Sequence, residues 1–151
     1  MAQSIEQLSF ELTAGALAEQ ERALSALRAR AGTILAAASV AGAFLGAKTT
    51  HGSLDAWGIL ALVSFVLSVG GAIWVLLPHE FVFAFCGEVL LAESDHLGVR
   101  EVTEAYRAAG LWTAPHLRTN ASKIAALSSW LTASCVLLAS EIILWTLSVT
   151  G

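Results

Sequence analysis

Charged residues divide this chain into short charged clusters and long uncharged runs. No charge occurs within residues 31–47, and a second uncharged run covers residues 56–77. At about 1.5 Å of rise per helical residue, these runs are roughly 25 Å and 33 Å long, against a bilayer hydrocarbon core of about 30 Å. Both runs therefore predict transmembrane helices.

A third apolar run covers residues 124–149 and is interrupted only by Glu141. We predict a third transmembrane helix here, with Thr119 and Asn120 capping its start. Pro78 is expected to end the second span, because proline breaks the helical hydrogen-bond ladder and restricts the residue before it. The predicted fold is an all-α integral membrane protein with three transmembrane helices.

The segments outside these runs also have helical patterns. Apolar positions near helical spacing predict an amphipathic helix over residues 4–30, with an interruption at Gly15. Residues 78–123 predict a helical cytoplasmic loop, in which Val102 and Tyr106 share one face of a short helix. Its first part, from Glu80, carries closely spaced phenylalanines and is predicted to be a helix that lies on the membrane.

Basic residues predict the orientation of the chain. Lys48 alone lies in the first loop, whereas the other seven of the eight lysines and arginines precede the first span or lie in the second loop. Because cytoplasmic loops carry the basic excess, we expect a multi-pass inner (plasma) membrane protein with its N-terminus and residues 78–123 inside and its C-terminus outside.

Composition supports the bilayer as the main partner and argues against nucleic acid. Apolar residues make up 56% of the chain, charged residues only 13%, and the mean hydropathy is +0.71. The net charge of −4 provides no basic stripe to neutralise phosphates, so a DNA or RNA partner is not expected. The two cysteines, Cys86 and Cys135, give no disulfide framework.

Small residues predict close helix packing on the first two spans. Such residues let helix backbones approach each other in a membrane. The first span carries Ala38, Gly42 and Gly46, and the second carries a face of Ala61, Ser64, Ser68 and Gly71 suited to contact with the first span. Packing within one chain and self-association of copies into a homo-oligomer both remain open.

Glu141 is the most informative single residue. A carboxylate inside a span is costly unless it is neutral, paired or in contact with water. At helical spacing it shares a surface with Trp130 and Ser134, and the other spans contain no basic residue. Two interpretations stay open: a polar lining of a cation path or oligomer seam, or a carboxyl near the outer interface, neutral or extended to water.

Enzyme chemistry finds no support in the sequence. The four histidines are scattered without metal-ligand spacing, and the hydroxyl-bearing residues of the third span have no histidine beside them. Gly70 and Gly71 lie in an apolar run with no following lysine, unlike a phosphate-binding loop. We expect no catalytic, cofactor or metal site.

Two strings carry a family resemblance. The string Glu21 to Ala31, leading into the first span, resembles small bacterial membrane effectors of nucleotide-signalling antiphage systems, and Asn120 to Leu127 is similar to the segment before the last span of Pycsar-type effectors. Two-span effectors are a related comparison. The resemblance implies an antiviral effector that disturbs the inner membrane when a cyclic nucleotide appears. The inner loop has few basic residues for a phosphate ligand, so a nucleotide partner is left open.

Two functional hypotheses follow. The first is an inner-membrane protein that acts by helix assembly and perturbs or opens the bilayer, with Glu141 and Ser134 as intramembrane polar residues. The second is a non-conducting scaffold or accessory subunit that binds a partner protein through its cytoplasmic helices. The predicted cytoplasmic interface consists of basic residues: Arg28, Arg30, Arg100, Arg107, Arg118 and Lys123.

Overall fold

A computed structural model describes residues 5–49, 55–83 and 102–150, except for the side chains of residues 44, 45, 47–49, 149 and 150. Within these ranges the chain forms three helices and no strand: α1 (Ile5–Thr49), α2 (Ala56–Leu76) and α3 (Val102–Thr150). The predicted all-α fold is confirmed for this part of the chain.

Helix α1 joins two segments that the sequence analysis treated as separate. The predicted amphipathic helix and the first predicted span form one uninterrupted helix of 45 residues, and the expected interruption at Gly15 is wrong. A single interior glycine costs only about 1 kcal/mol relative to alanine, and the alanine-, leucine- and glutamate-rich sequence around it favours helix. Arg30, at the predicted boundary, is itself a good helix former.

Helix α2 agrees with the predicted second span to within one residue. Asp55 caps its N-terminus, with the side chain accepting a hydrogen bond of 3.1 Å from the Gly58 amide. Leu77 ends the helix with φ −57° and ψ 147°. Those angles are typical of a residue that precedes proline, because the ring of Pro78 disfavours the helical conformation there.

Helix α3 joins the predicted cytoplasmic helix to the third predicted span in 49 residues. Thr119 and Asn120, predicted to cap the start of that span, lie inside the helix instead. The Thr119 hydroxyl donates to the Pro115 carbonyl at 3.0 Å, and the Asn120 amide donates to the Val82 carbonyl at 2.8 Å. The capping prediction is therefore wrong, because both side chains have other partners.

Residues 77–83 are not helical. The rings of Phe81 and Phe83 stack with centroids 5.3 Å apart, and Lys123 donates to the Glu80 carbonyl at 2.6 Å. The predicted membrane-lying helix therefore does not begin at Glu80, and its remaining residues, 84–93, lie outside the described ranges.

Two compact units divide the chain: Met1–Leu24 with His79–Ala125, and Ser25–Pro78 with Ala126–Gly151. In the first unit, Phe10 and Tyr106 are 5.5 Å apart between ring centroids, and Gln20 donates to the Leu117 carbonyl at 2.9 Å. In the second unit, α2 contacts α3 where Ser68 donates to the Ser134 carbonyl, and it lies close to α1 where the Phe65 ring faces Gly42.

Buried positions recur at a spacing of seven residues on all three helices. They are Leu17, Leu24, Ala31 and Ala38 on α1, Ala61, Ser68 and Val75 on α2, and Thr113, Asn120, Leu127, Ser134, Glu141 and Ser148 on α3. A strict repeat of seven is typical of helices that keep one narrow seam in contact with a neighbour. The seam of α3 is unusual because most of its members are polar.

Among the described residues, two helices are long and apolar enough to cross a membrane: α2 over Ala56–Leu76 and α3 over Val102–Ser148. The prediction of three transmembrane helices is therefore not confirmed. In the first predicted span, residues 31–47, the structure does not describe the side chains of residues 44, 45 and 47.

Candidate functional site

The candidate site is the polar part of the α3 seam within the second compact unit, which consists of Ser134, Glu141 and Ser148. We call these three residues the polar seam. They are 1%, 0% and 9% exposed. One seven-residue step along a helix is roughly 10 Å, so the three side chains occupy successive levels of α3.

Ser134 forms a close contact between α2 and α3. Its backbone carbonyl accepts a hydrogen bond of 2.8 Å from the Ser68 hydroxyl, and its own hydroxyl donates to the Trp130 carbonyl at 3.0 Å. Gly71 lies directly against the Ser134 hydroxyl, so a methyl group on Gly71 would overlap it. The absence of a side chain at Gly71 is what allows the two backbones to approach at this level.

Ser148 connects α3 to the start of α2. Its hydroxyl donates to Asp55 Oδ1 at 2.5 Å, the oxygen that also caps α2. Asp55 was not singled out by sequence analysis. Its position directly before an uncharged run is a recognisable capping signal, but its partner in α3 lies far away in sequence.

Glu141 lies halfway between these two polar contacts. Its carboxyl group makes no hydrogen bond with any described residue. Ser68 of α2 contacts Ser134, and Asp55, which caps the start of α2, contacts Ser148 near the end of α3. The two helices are therefore antiparallel, and Glu141 is level with the buried Ala61. Neither carboxylate oxygen has a hydrogen-bond partner among the described residues. An isolated buried carboxylate is one of the costliest groups a fold can contain.

This burial bears on one part of the second interpretation of Glu141. A carboxyl that extends to water at the outer interface would have exposed oxygens, whereas Glu141 is 0% exposed and both of its oxygens are buried. In this packing the carboxyl does not extend to water, whereas a neutral carboxyl near the outer interface and a polar lining of a path or oligomer seam both stay predictions. The carboxyl instead belongs to the interior of the second unit, in line with Ser134 and Ser148.

The small residues predicted to form packing faces on the first two spans differ in their surroundings. Ala38 is 1% exposed, and a methyl group on Gly42 would be 3.0 Å from the Phe65 ring, so Gly42 makes a close contact with α2. A methyl group on Gly46 would have no neighbour within 4 Å among the described residues. Ser68 and Gly71 are buried against α3, rather than against the first span as expected, while Ser64 is only half-buried.

The predicted interface arginines and lysine have separate surroundings. Arg28 is half-buried and its Nε atom has no partner among the described residues, and Arg30 is exposed beside a groove of the second unit. In the first unit, Arg107 lines a groove with Tyr106, and Arg118 is exposed. Lys123 donates a hydrogen bond to the backbone carbonyl of Glu80, and its Nζ atom lies 5.7 Å from the centroid of the Phe81 ring. Arg100 lies outside the described ranges.

Within the described ranges, no group of three His, Cys, Asp or Glu side chains is placed to hold a metal ion. Comparisons with protein-family models, curated proteins and solved structures find no match to this chain.

Proposed function

We propose that this chain is a multi-pass helical protein of a bacterial inner membrane, with three transmembrane helices, a cytoplasmic N-terminus and an outer C-terminus. Large apolar side chains of α2 and α3 support membrane insertion, because they are about half exposed or more; examples are Ile59, Val63, Val66, Val136 and Ile143. Soluble proteins rarely expose apolar patches of that extent. A soluble core helix with the same composition would be buried instead.

The protein acts by helix assembly, and its polar seam forms a path for water or cations across the bilayer. The observation that carries this function is Glu141, a fully buried carboxyl with no hydrogen-bond partner among the described residues. Ionisable residues within membrane spans usually mark ion paths or contacts between chains, because their cost must be offset by function.

The arrangement of the seam fits such a path in an open state. Ser134 and Ser148 place hydroxyl groups roughly 10 Å to either side of Glu141 along α3, and all three face the same side of the helix. In the present packing, α2 covers the seam through Ser68, Gly71 and Asp55. Opening therefore requires α3 to separate from α2 or rotate against it, so that the seam faces water in an assembly of copies.

Membrane potential during controlled expression in a bacterium tests this function. Wild type should depolarise the inner membrane, and Glu141→Gln should leave it polarised, because the amide keeps the shape of the side chain but removes the charge that attracts cations. Glu104→Gln is the matched control, since Glu104 is exposed in the first unit, and it should depolarise like wild type. Equal depolarisation by all three proteins, at equal abundance in the membrane, would remove Glu141 from the mechanism.

A second candidate function is a non-conducting scaffold that binds a partner protein. The first unit favours it, because its apolar side chains are strongly exposed: Ile5 is 82%, Val102 72%, Leu111 69% and Leu12 66% exposed. Ile5 and Leu111 line the same groove as Tyr106 and Arg107. A scaffold predicts that Leu111→Glu abolishes copurification of the partner while Glu141→Gln has no effect, which is the reverse of the pattern expected for a conducting assembly.

The role of an antiviral effector and its nucleotide trigger rest on the resemblance of the two strings alone. Leakage from vesicles that contain the purified protein, measured with and without added cyclic nucleotides, tests the trigger. Leakage that requires a cyclic nucleotide supports an effector, and leakage that is the same without it supports an assembly that needs no such signal.

A further inference from the structure

A second groove in the second unit combines one cationic side chain with an apolar floor. Leu27, Ile34 and Leu131 are buried and form the floor, while Arg30 and Ser128 are exposed on its walls. None of the residues that line it is acidic. The groove thus offers a positive charge beside a strip of apolar surface.

The polar side chains of the groove differ in what they can donate. The Thr33 hydroxyl donates to the Ala29 carbonyl at 3.2 Å, and the Thr132 hydroxyl donates to the Ser128 carbonyl at 2.9 Å, so their protons are used within their own helices. Arg30 carries a guanidinium with several N–H donors, which suits a phosphate group. An anionic group in this groove would therefore be held at Arg30.

The position of Arg30 along α1 fixes the level of that anionic group. It is the last charged residue before the uncharged run of residues 31–47. If this run crosses the bilayer, Arg30 lies at the headgroup level and the groove descends from there into the hydrocarbon. Along α3 the groove continues from Ser128 to Cys135, which is roughly 10 Å of helix.

We propose that this groove binds an anionic phospholipid, with its phosphate at Arg30 and one acyl chain over Ile34 and Leu131 towards Cys135. The proposal rests on the membrane placement given under the proposed function. Two features of the groove match such a lipid. Arg30 has the charge that binds a phosphate, and the surface changes from polar at the headgroup level to apolar in the hydrocarbon. A second copy of the chain could fill the same groove, but its binding would not require a negatively charged group.

The test uses Cys135 as a reporter in the full chain. With Cys86→Ser, a small fluorophore on Cys135 is reconstituted in neutral vesicles that contain a minor fraction of mid-chain brominated lipid, either anionic or zwitterionic. Quenching by the anionic lipid should exceed quenching by the zwitterionic lipid on the order of fivefold, the ratio that corresponds to about 1 kcal/mol for one basic residue near the surface. Arg30→Lys should retain the preference and Arg30→Gln should lose it.

Arg22→Gln is the matched control, because Arg22 is exposed on the same helix and does not line the groove; it should keep the preference. Retention of anionic lipid on the unlabelled protein, measured by native mass spectrometry, should follow the same order among the variants. Equal quenching by both lipids would overturn the lipid site while leaving membrane insertion intact. Quenching by neither lipid, with self-quenching between labelled copies, would show that a second copy fills the groove and would overturn the proposal.

Discussion

At the scale of single residues, the polar seam contains one group that weakens the fold and two that strengthen it. Ser134 and Ser148 exchange hydrogen bonds with α2 or with their own helix, whereas the Glu141 carboxyl is buried without any described partner. A buried polar group without a partner destabilises the folded state by about 1–3 kcal/mol. The proposed function therefore requires at residue 141 a group that lowers the stability of the fold.

Glu141→Leu should raise the stability of the protein while abolishing any depolarising activity. Replacing a buried unpaired polar group with an apolar one of similar size removes the cost of its desolvation, so we expect a gain of about 1–3 kcal/mol. Thermal unfolding in detergent micelles measures it, with Glu104→Leu as an exposed control that should shift stability by less than about 0.5 kcal/mol. A lower melting temperature for Glu141→Leu would mean that the carboxyl has a stabilising partner.

Ser148→Ala should loosen the contact between the end of α3 and the start of α2. The variant loses the hydroxyl that donates to Asp55, and a hydrogen bond to a charged group contributes about 1.5–3 kcal/mol. Ser140→Ala is the control, because the Ser140 hydroxyl is exposed and donates only to the Val136 carbonyl of its own helix. Equal stability of the two variants would contradict a role for the Asp55 contact.

Residues that are costly to bury can be recognised in the sequence, but their partners cannot. Glu141 stands out because a carboxylate in an apolar run is expensive wherever the run folds. Asn120 was misassigned as a cap because its partner, the Val82 carbonyl, is brought to it only by the path of the chain after Pro78. A capping residue and a side chain that binds distant backbone have the same local sequence.

At the scale of elements, the close packing of α2 against α3 depends on a glycine. Gly71 lies against the Ser134 hydroxyl, whereas the neighbouring Gly70 has open space. The two adjacent glycines therefore differ in their tolerance of a methyl group, although the sequence presents them as a pair.

Gly71→Ala should destabilise the packing of α2 on α3, and Gly70→Ala should not. The methyl group on residue 71 forces the Ser134 hydroxyl out of its place, at an expected cost of about 1–3 kcal/mol. Gly70→Ala should be neutral or slightly stabilising, since alanine favours helix by about 1 kcal/mol. Adding Ser134→Ala to Gly71→Ala should recover part of the lost stability. Thermal unfolding in micelles compares the wild type, Gly71→Ala, Gly70→Ala and this double variant. Equal effects at both glycines would contradict the close contact.

Element boundaries were predictable where a backbone rule sets them and not where charge alone marks them. Pro78 ends α2 at the expected place because its ring excludes helix at Leu77. The charges of Arg30 and Lys123 suggest boundaries between separate helices, yet α1 and α3 continue through them. A charged residue can mark the depth of a helix in a membrane without interrupting its hydrogen bonds.

At the scale of the whole molecule, the number of spans decides the side on which the C-terminus lies. Three spans place the two ends of the chain on opposite sides of the membrane, and two spans would place them on the same side. Alkaline phosphatase fused after Gly151 should therefore be active in the periplasm, and green fluorescent protein fused there should be dark. The opposite pair of results, together with a fusion that places the N-terminus in the cytoplasm, would show an even number of spans and remove residues 31–47 from the membrane.

The seven-residue repeat of buried positions limits how this molecule can change in length over evolution. Ser134, Glu141 and Ser148 face the same neighbour only while the interval between them is kept. Each residue inserted between two of them turns the rest of α3 by about 100°, so one or two insertions would turn Glu141 or Ser148 away from α2. Descendants should therefore lose or gain length in loops, and within α3 only in whole multiples of the repeat.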